Sequence, residues 1–215
     1  MVPRKRARTS LTVALFGFVL TSASALVVSA DTLKQSAELG KRTAKTSRDV
    51  DKYVAQLDKA EVALSALSGA QGKNLKKRYE SFSKEVKNLE EAQKHATSDI
   101  NEMQSNKEKY FSSWDESIAK ISSPQLKQAS VERRSKAIKD HDELTANLSD
   151  VGRELQPFMT SLHDVQTFLA ADLSPANVSK ASEMIRQSQV DAQALKDKIA
   201  PVQAQLKQFA SEAPK

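Results

Sequence analysis

Three histidines, two glycine–lysine pairs and one aromatic stretch are the residues whose types could do chemistry. His95, His141 and His163 could hold a metal or move a proton. Two ligands on one helical face need His-x-x-x-His or Glu-x-x-His spacing, and none of the three sits in either. With no cysteine there is no thiolate ligand and no disulfide. Gly40-Lys41 and Gly72-Lys73 lack both the upstream glycine and the following Ser or Thr of a phosphate loop. No Gly-x-Ser-x-Gly elbow occurs. The expectation is a non-enzyme with no catalytic residue, no metal and no cofactor.

The aromatic stretch KYFSSWDESIAKISSP, residues 109–124, contains the only tryptophan. Tyr110, Phe111 and Trp114, joined by His141, are the candidate core or partner-anchoring residues. Trp114 falls on a helical seam with Tyr110, and Phe111 and Ile118 broaden that apolar face. Aromatic side chains at helical spacing form core more often than ligand cages. Trp114 is therefore expected to pack against the start of the next helix, with its indole N–H bonded to a carbonyl or water. His141 lies on a seam and precedes Asp142, so it reads as half-buried with a polar partner.

Those residues need long helices to position them. From Val50 the apolar positions run Val50, Tyr53, Leu57, Ala60, Leu64 and Leu67, three and four apart. SGAQGKN (68–74) interrupts with two glycines. The pattern resumes from Leu75 through Phe82, Val86 and Leu89 to Trp114, Ser117 and Ile121. Lys107 and Gln93 occupy seam positions, where a polar residue fixes register. Ser123-Pro124 and Ser174-Pro175 are N-cap and first-turn pairs that start new helices. The third seam runs from His141 to Leu169 and the fourth from Val178 to Phe209. Pro157 and Pro201 interrupt these patterns and should kink or break their helices, with a bend expected near residues 152–157 and a hinge at Pro157 left open.

A period of 3.5 residues held this long means helices packed along seams. Strand signals are absent. The fold expected is all-α: an elongated antiparallel bundle of coiled-coil character with three to four long helices, its middle hairpin protruding. The three-helix alternative leaves the first segment loosely attached. Charges alternate on the outer faces, as in the i,i+4 pair Glu132 and Lys136.

Residues 1–30 stand apart. Arg4, Lys5, Arg6 and Arg8 precede the apolar run Leu11–Leu20, and Val28-Ser29-Ala30 ends it. This is the pattern of a signal peptide cleaved after Ala30, leaving residues 31–215 as a single domain in the periplasm or secreted. The alternative is an uncleaved inner-membrane anchor over residues 11–30, the one route to membrane contact. Residues 1–30 hold four of the 33 basic residues and none of the 27 acidic ones, so the remainder, 29 against 27, carries +2. That near-even, intermixed charge does not suit nucleic acid.

The stretch YFSSWDESIAKISSPQLKQASVERRSKAIKDHDEL (110–144), continued by LQPFMTSLHDVQTFLAADLSPANVSKASEM (155–184), resembles a bacterial family known as domain of unknown function 2959. Trp114, Pro157 and HDVQTFL carry most of the likeness, which covers most of residues 75–210. The resemblance implies exported helical envelope proteins, many of them lipoproteins, although this chain lacks a cysteine to lipidate. It supplies no activity and no site residues. The functional expectation is a structural, scaffold or adaptor protein of the cell envelope. Its partner would be another protein or a second copy along the helix seams. A peripheral membrane or envelope-polymer binder is the alternative.

Overall fold

Residues spaced three and four apart give each helix one apolar stripe, and four such stripes close on a shared interior. The computed structural model describes residues 30–70 and 72–212. It comprises α1 (Ala30–Ser68), α2 (Asn74–Ala119), α3 (Pro124–Ala171) and α4 (Pro175–Glu212), with no strand among the described residues. The expected leader at residues 1–30 lies almost wholly outside the described residues.

The breaks form where the sequence places them. Gly72 adopts φ +58°, a left-handed conformation that costs glycine little, in the turn between α1 and α2. Ser123 caps α3 by accepting from the Leu126 N–H at 3.4 Å, with Pro124 next. Ser174 does the same for α4 through the Asn177 N–H at 3.3 Å. Asn177 also donates to the Asp172 carboxylate at 2.8 Å, closing that turn.

The short turns make successive helices antiparallel, and α1 returns to pack on α4. The order is up-down-up-down, with α1 packed on α2 and α4, and α3 on the same two. At about 1.5 Å per residue, the 46 residues of α2 and 48 of α3 each extend about 70 Å. α1 packs along α2 from Thr32 to Leu67, so it is not loosely attached. Large fully buried side chains such as Leu57, Leu64, Phe82, Leu89, Leu162, Leu169, Ile185 and Leu206 fill the interior.

α4 is too short to reach the far end. Its Phe209 stacks on His141 three residues before α4 ends, so α3 continues roughly 20 Å beyond α4 at about 1.5 Å per residue. The α2–α3 hairpin does project, with the start of α1 alongside it. One end of the molecule is four-helical and the other three-helical.

Pro157 and Pro201 lie inside continuous helices and break neither. Both are on exposed faces, where the carbonyl left without a donor can turn to water. On the outer face of α3, Lys136 bonds Asp140 at 2.8 Å, and Glu132 accepts from Gln128 at 2.9 Å.

Candidate functional site at the three-helix end

Tyr110, Phe111, Trp114 and His141 do come together. Tyr110 lies 5.1 Å from Phe111 and 5.5 Å from Trp114 between ring centroids, and Phe111 stacks on Trp114 at 6.2 Å. Phe111 meets His141 edge-on at 5.6 Å. His141 then stacks on Phe209 at 4.7 Å, carrying the rings from α2 through α3 to α4. The Arg134 guanidinium lies 5.8 Å over the Phe111 ring and bonds Asp115 at 2.5 Å. Phe209 was legible as the last residue of the fourth seam, but only the helix ends place it on His141.

Phe111 is the buried member of the cluster, whereas Trp114 is half-buried. Its indole N–H donates to the Ser130 hydroxyl at 3.1 Å, a side-chain partner in place of the expected carbonyl or water. The cause is periodicity. A straight helix drifts about 20° per heptad from a strict 3.5-residue repeat, so five heptads after Leu75 the inward position has moved on by about one residue. Burial passes accordingly from Tyr110 to Phe111 and includes Ile118 as well as Ser117.

His141 is half-buried, as expected, but its partner is different. Asp142 turns away and accepts from Lys107 at 3.2 Å, so the seam lysine ties α2 to α3. Burial among rings pushes the His141 pKa down to about 4, assisted by the Lys107 charge and opposed by Asp140 and Asp142. His95 is exposed, and His163 meets Glu90 at 2.7 Å on the flank. The three histidines are therefore separate, and no cluster of three or more potential metal ligands occurs among the described residues.

The interior of this half is polar. The Thr32 hydroxyl donates to the Ser113 carbonyl at 2.9 Å and lies 2.7 Å from the Ser117 hydroxyl. Thr46 donates to the Asp99 carbonyl at 3.1 Å. Thr32, Leu39, Thr43 and Thr46 continue the α1 seam backward from Val50, a signal that a search for apolar residues passes over. Asp99 is 4% exposed and bonds Lys45 through one carboxylate oxygen, while its other oxygen is buried without a partner among the described residues. Burial and then the neighbouring Asp49 raise the Asp99 pKa. The Asp99 contact and Lys52, at 2.5 Å, lower that of Asp49. A proton on Asp99 donated to Asp49 would supply the missing bond. Both carboxylates are buried and no described cavity reaches them, so this pair joins two helices.

Long antiparallel helices, a ring cluster at one end and separate histidines define the class: an elongated all-α four-helix bundle. Residues 33–212 match the family described as protein of unknown function DUF2959, and the chain belongs to it. No curated protein and no solved structure matches it. No helix among the described residues is long and apolar enough to cross a membrane.

Proposed function

We propose that the protein is a non-enzymatic component of the cell envelope, a spacer or adaptor that engages another protein through its three-helix end. One observation carries this reading: no side chain of residues 124–143 in α3 is fully buried against the rest of the chain. Leu126 and Val131 are 42% and 40% exposed there, beside the half-buried Trp114. A helix of this length without a buried face offers surface for a partner helix. The charged sequence at residues 1–8 followed by Leu11–Leu20 supports export.

A photo-crosslinking residue at Val131, compared with one at the still more exposed Val190 in α4 (50%), tests the adaptor reading in cells. A discrete protein adduct from position 131 alone is expected. Equal labelling at both positions, or none, would refute it. N-terminal sequencing of exported material tests the leader, with Asp31 expected first; intact Met1 in membranes would favour the anchor.

One feature supports the alternative of a membrane or polymer binder. Lys34, Lys41 and Lys109 line a groove between α1 and α2 near Ala30 and have no carboxylate partner among the described residues. Sedimentation with anionic against zwitterionic vesicles, using protein that begins at Asp31, separates the two readings.

A further inference from the structure

The two halves of α1 are held differently. From Val50 to Leu67 its buried residues are mostly apolar, and α4 covers them as well as α2. From Ala30 to Asp49 the one large apolar side chain buried is Leu39; the others are Thr32, Thr43, Thr46, Ser47 and Asp49. Polar ties to α2 therefore hold this half, and three of them converge on Asp99. Lys45 bonds one of its carboxylate oxygens, the Thr46 hydroxyl donates to its carbonyl at 3.1 Å, and Asp49 bonds its carboxyl. Toward Ala30 follow Arg42 on Glu102, Ser36 on Tyr110, and Thr32 on Ser113 and Ser117. Asp99 is thus the tie nearest the apolar half.

That tie joins two carboxyls and needs one proton. The second oxygen of Asp99 is buried, with no donor among the described residues, and the residue is 4% exposed. A proton shared with Asp49 completes the bond. Without it, two buried carboxylates oppose each other across the helices and one oxygen stays desolvated. Lys45 and Lys52 on α1 offset part of that charge, with Arg42 further along, while α2 adds Glu102 and the exposed His95. At this height α3 carries Asp150, paired with Arg153 at 2.5 Å, and Lys207 of α4 is taken up by Asp51. Tyr53, one turn beyond Asp49, keeps its proton through burial, and its hydroxyl also lacks a partner among the described residues. The raised Asp99 pKa agrees with this arrangement: the fold retains a proton that an ordinary carboxyl would already have lost.

We propose that residues 30–49 of α1 form a pH-sensitive strap, closed on α2 while Asp49 and Asp99 share a proton and released when that proton leaves. Residues 50–68 stay packed, so the opening is local. Release uncovers the Ser113–Ser117 face of α2 at the three-helix end. The strap operates whatever partner that end engages.

Amide hydrogen exchange of the whole protein at pH 5 and pH 8, corrected for the intrinsic rate at each pH, tests this. Protection of residues 33–48 should fall about tenfold at the higher pH, the equivalent of one buried hydrogen bond, while residues 52–66 change less than twofold. Asp99→Asn keeps the shape and supplies an amide donor to Asp49 at any pH, so residues 33–48 should stay protected at both. Asp49→Asn, which donates in the opposite direction, should do the same and guards against a local defect in either variant. Equal loss of protection in both segments, or none, would overturn the strap. So would variants that keep the pH dependence of the natural protein.

Discussion

Mild acid should loosen the junction between α3 and α4, and His141 is the cause. Its ring lies between Phe111 of α2 and Phe209 of α4, with Lys107 the nearest cation and Asp140 and Asp142 on its own helix. In the unfolded chain it takes up a proton near its ordinary 6.5; in the bundle it resists until about 4. Between those values the unfolded state holds more protons, so stability rises with pH. Acidification from 6.5 to about 4 therefore removes stability, and the His141 contribution is flat below that window. At ~1.4 kcal/mol per tenfold change, the difference corresponds to at most about 3 kcal/mol. The ring is half-buried, and screening by solvent brings the expected loss to about 2 kcal/mol.

The comparison to make is with His141→Phe, which keeps a ring against Phe111 and Phe209 but cannot titrate. Urea unfolding followed by circular dichroism at pH 7.5, 5.5 and 4 gives both stabilities, and carboxylates common to the two proteins cancel in the difference. Relative to the variant, the natural protein should lose about 2 kcal/mol across this range, or about 4–8 °C in melting temperature. Parallel pH profiles, or a His141 proton titration centred near 6.5, would refute the argument from burial.

Other substitutions probe the contrast between the two ends. Phe82→Ala, at a fully buried site in the four-helix part, should cost about 3–5 kcal/mol in denaturant titrations. Trp114→Ala should cost only about 1–2 kcal/mol, because its ring is half-buried, and iodide should quench its fluorescence in part. The raised Asp99 pKa means a stabilising contribution present below the ordinary carboxyl value and lost as pH rises through the folded value. Asp99→Asn should therefore gain stability relative to the natural protein as pH rises from 4 to 7, which paired urea titrations measure. Amide hydrogens of residues 126–140 should exchange faster than those of residues 155–169, since the first segment has no fully buried side chain.

How far the sequence could be read depended on which residues form each seam. The seams from Val50 to Leu67 and Val178 to Leu206 are buried at every position expected, because spacings of three and four leave an aliphatic chain one way to face inward. The serine–proline starts of α3 and α4 were equally legible, because capping is a local interaction. Trp114 was harder to place. Extrapolating a 3.5-residue period over five heptads accumulates the mismatch with a straight helix, and one residue of error exchanges Phe111 for Tyr110. Thr32 and Thr46 of α1 escaped notice because their hydroxyls find partners on α2, across the fold. Tyr53 read as ordinary core, and nothing local marks a hydroxyl as unpaired.

The placement of buried polar groups has a physical consequence for the pairing of α1 and α2. Two aliphatic seams with a heptad repeat can slide past each other by seven residues and still bury similar area, so apolar contact alone fixes register weakly. Three polar ties at different heights remove that freedom. Thr32 reaches the Ser113 carbonyl, Thr46 reaches that of Asp99, and the Gln56 amide donates to the Glu85 carboxylate at 2.6 Å. A slip would strand all three at once, each at the cost of an unmade buried hydrogen bond. These ties favour a single alignment, but they occupy interior positions that aliphatic side chains would otherwise fill. Two of the three lie in the half that includes the three-helix end, where apolar burial is already least. That end is held in register by hydrogen bonds while residues 124–143 of α3 have no fully buried side chain, so the alignment of α1 on α2 there does not depend on α3.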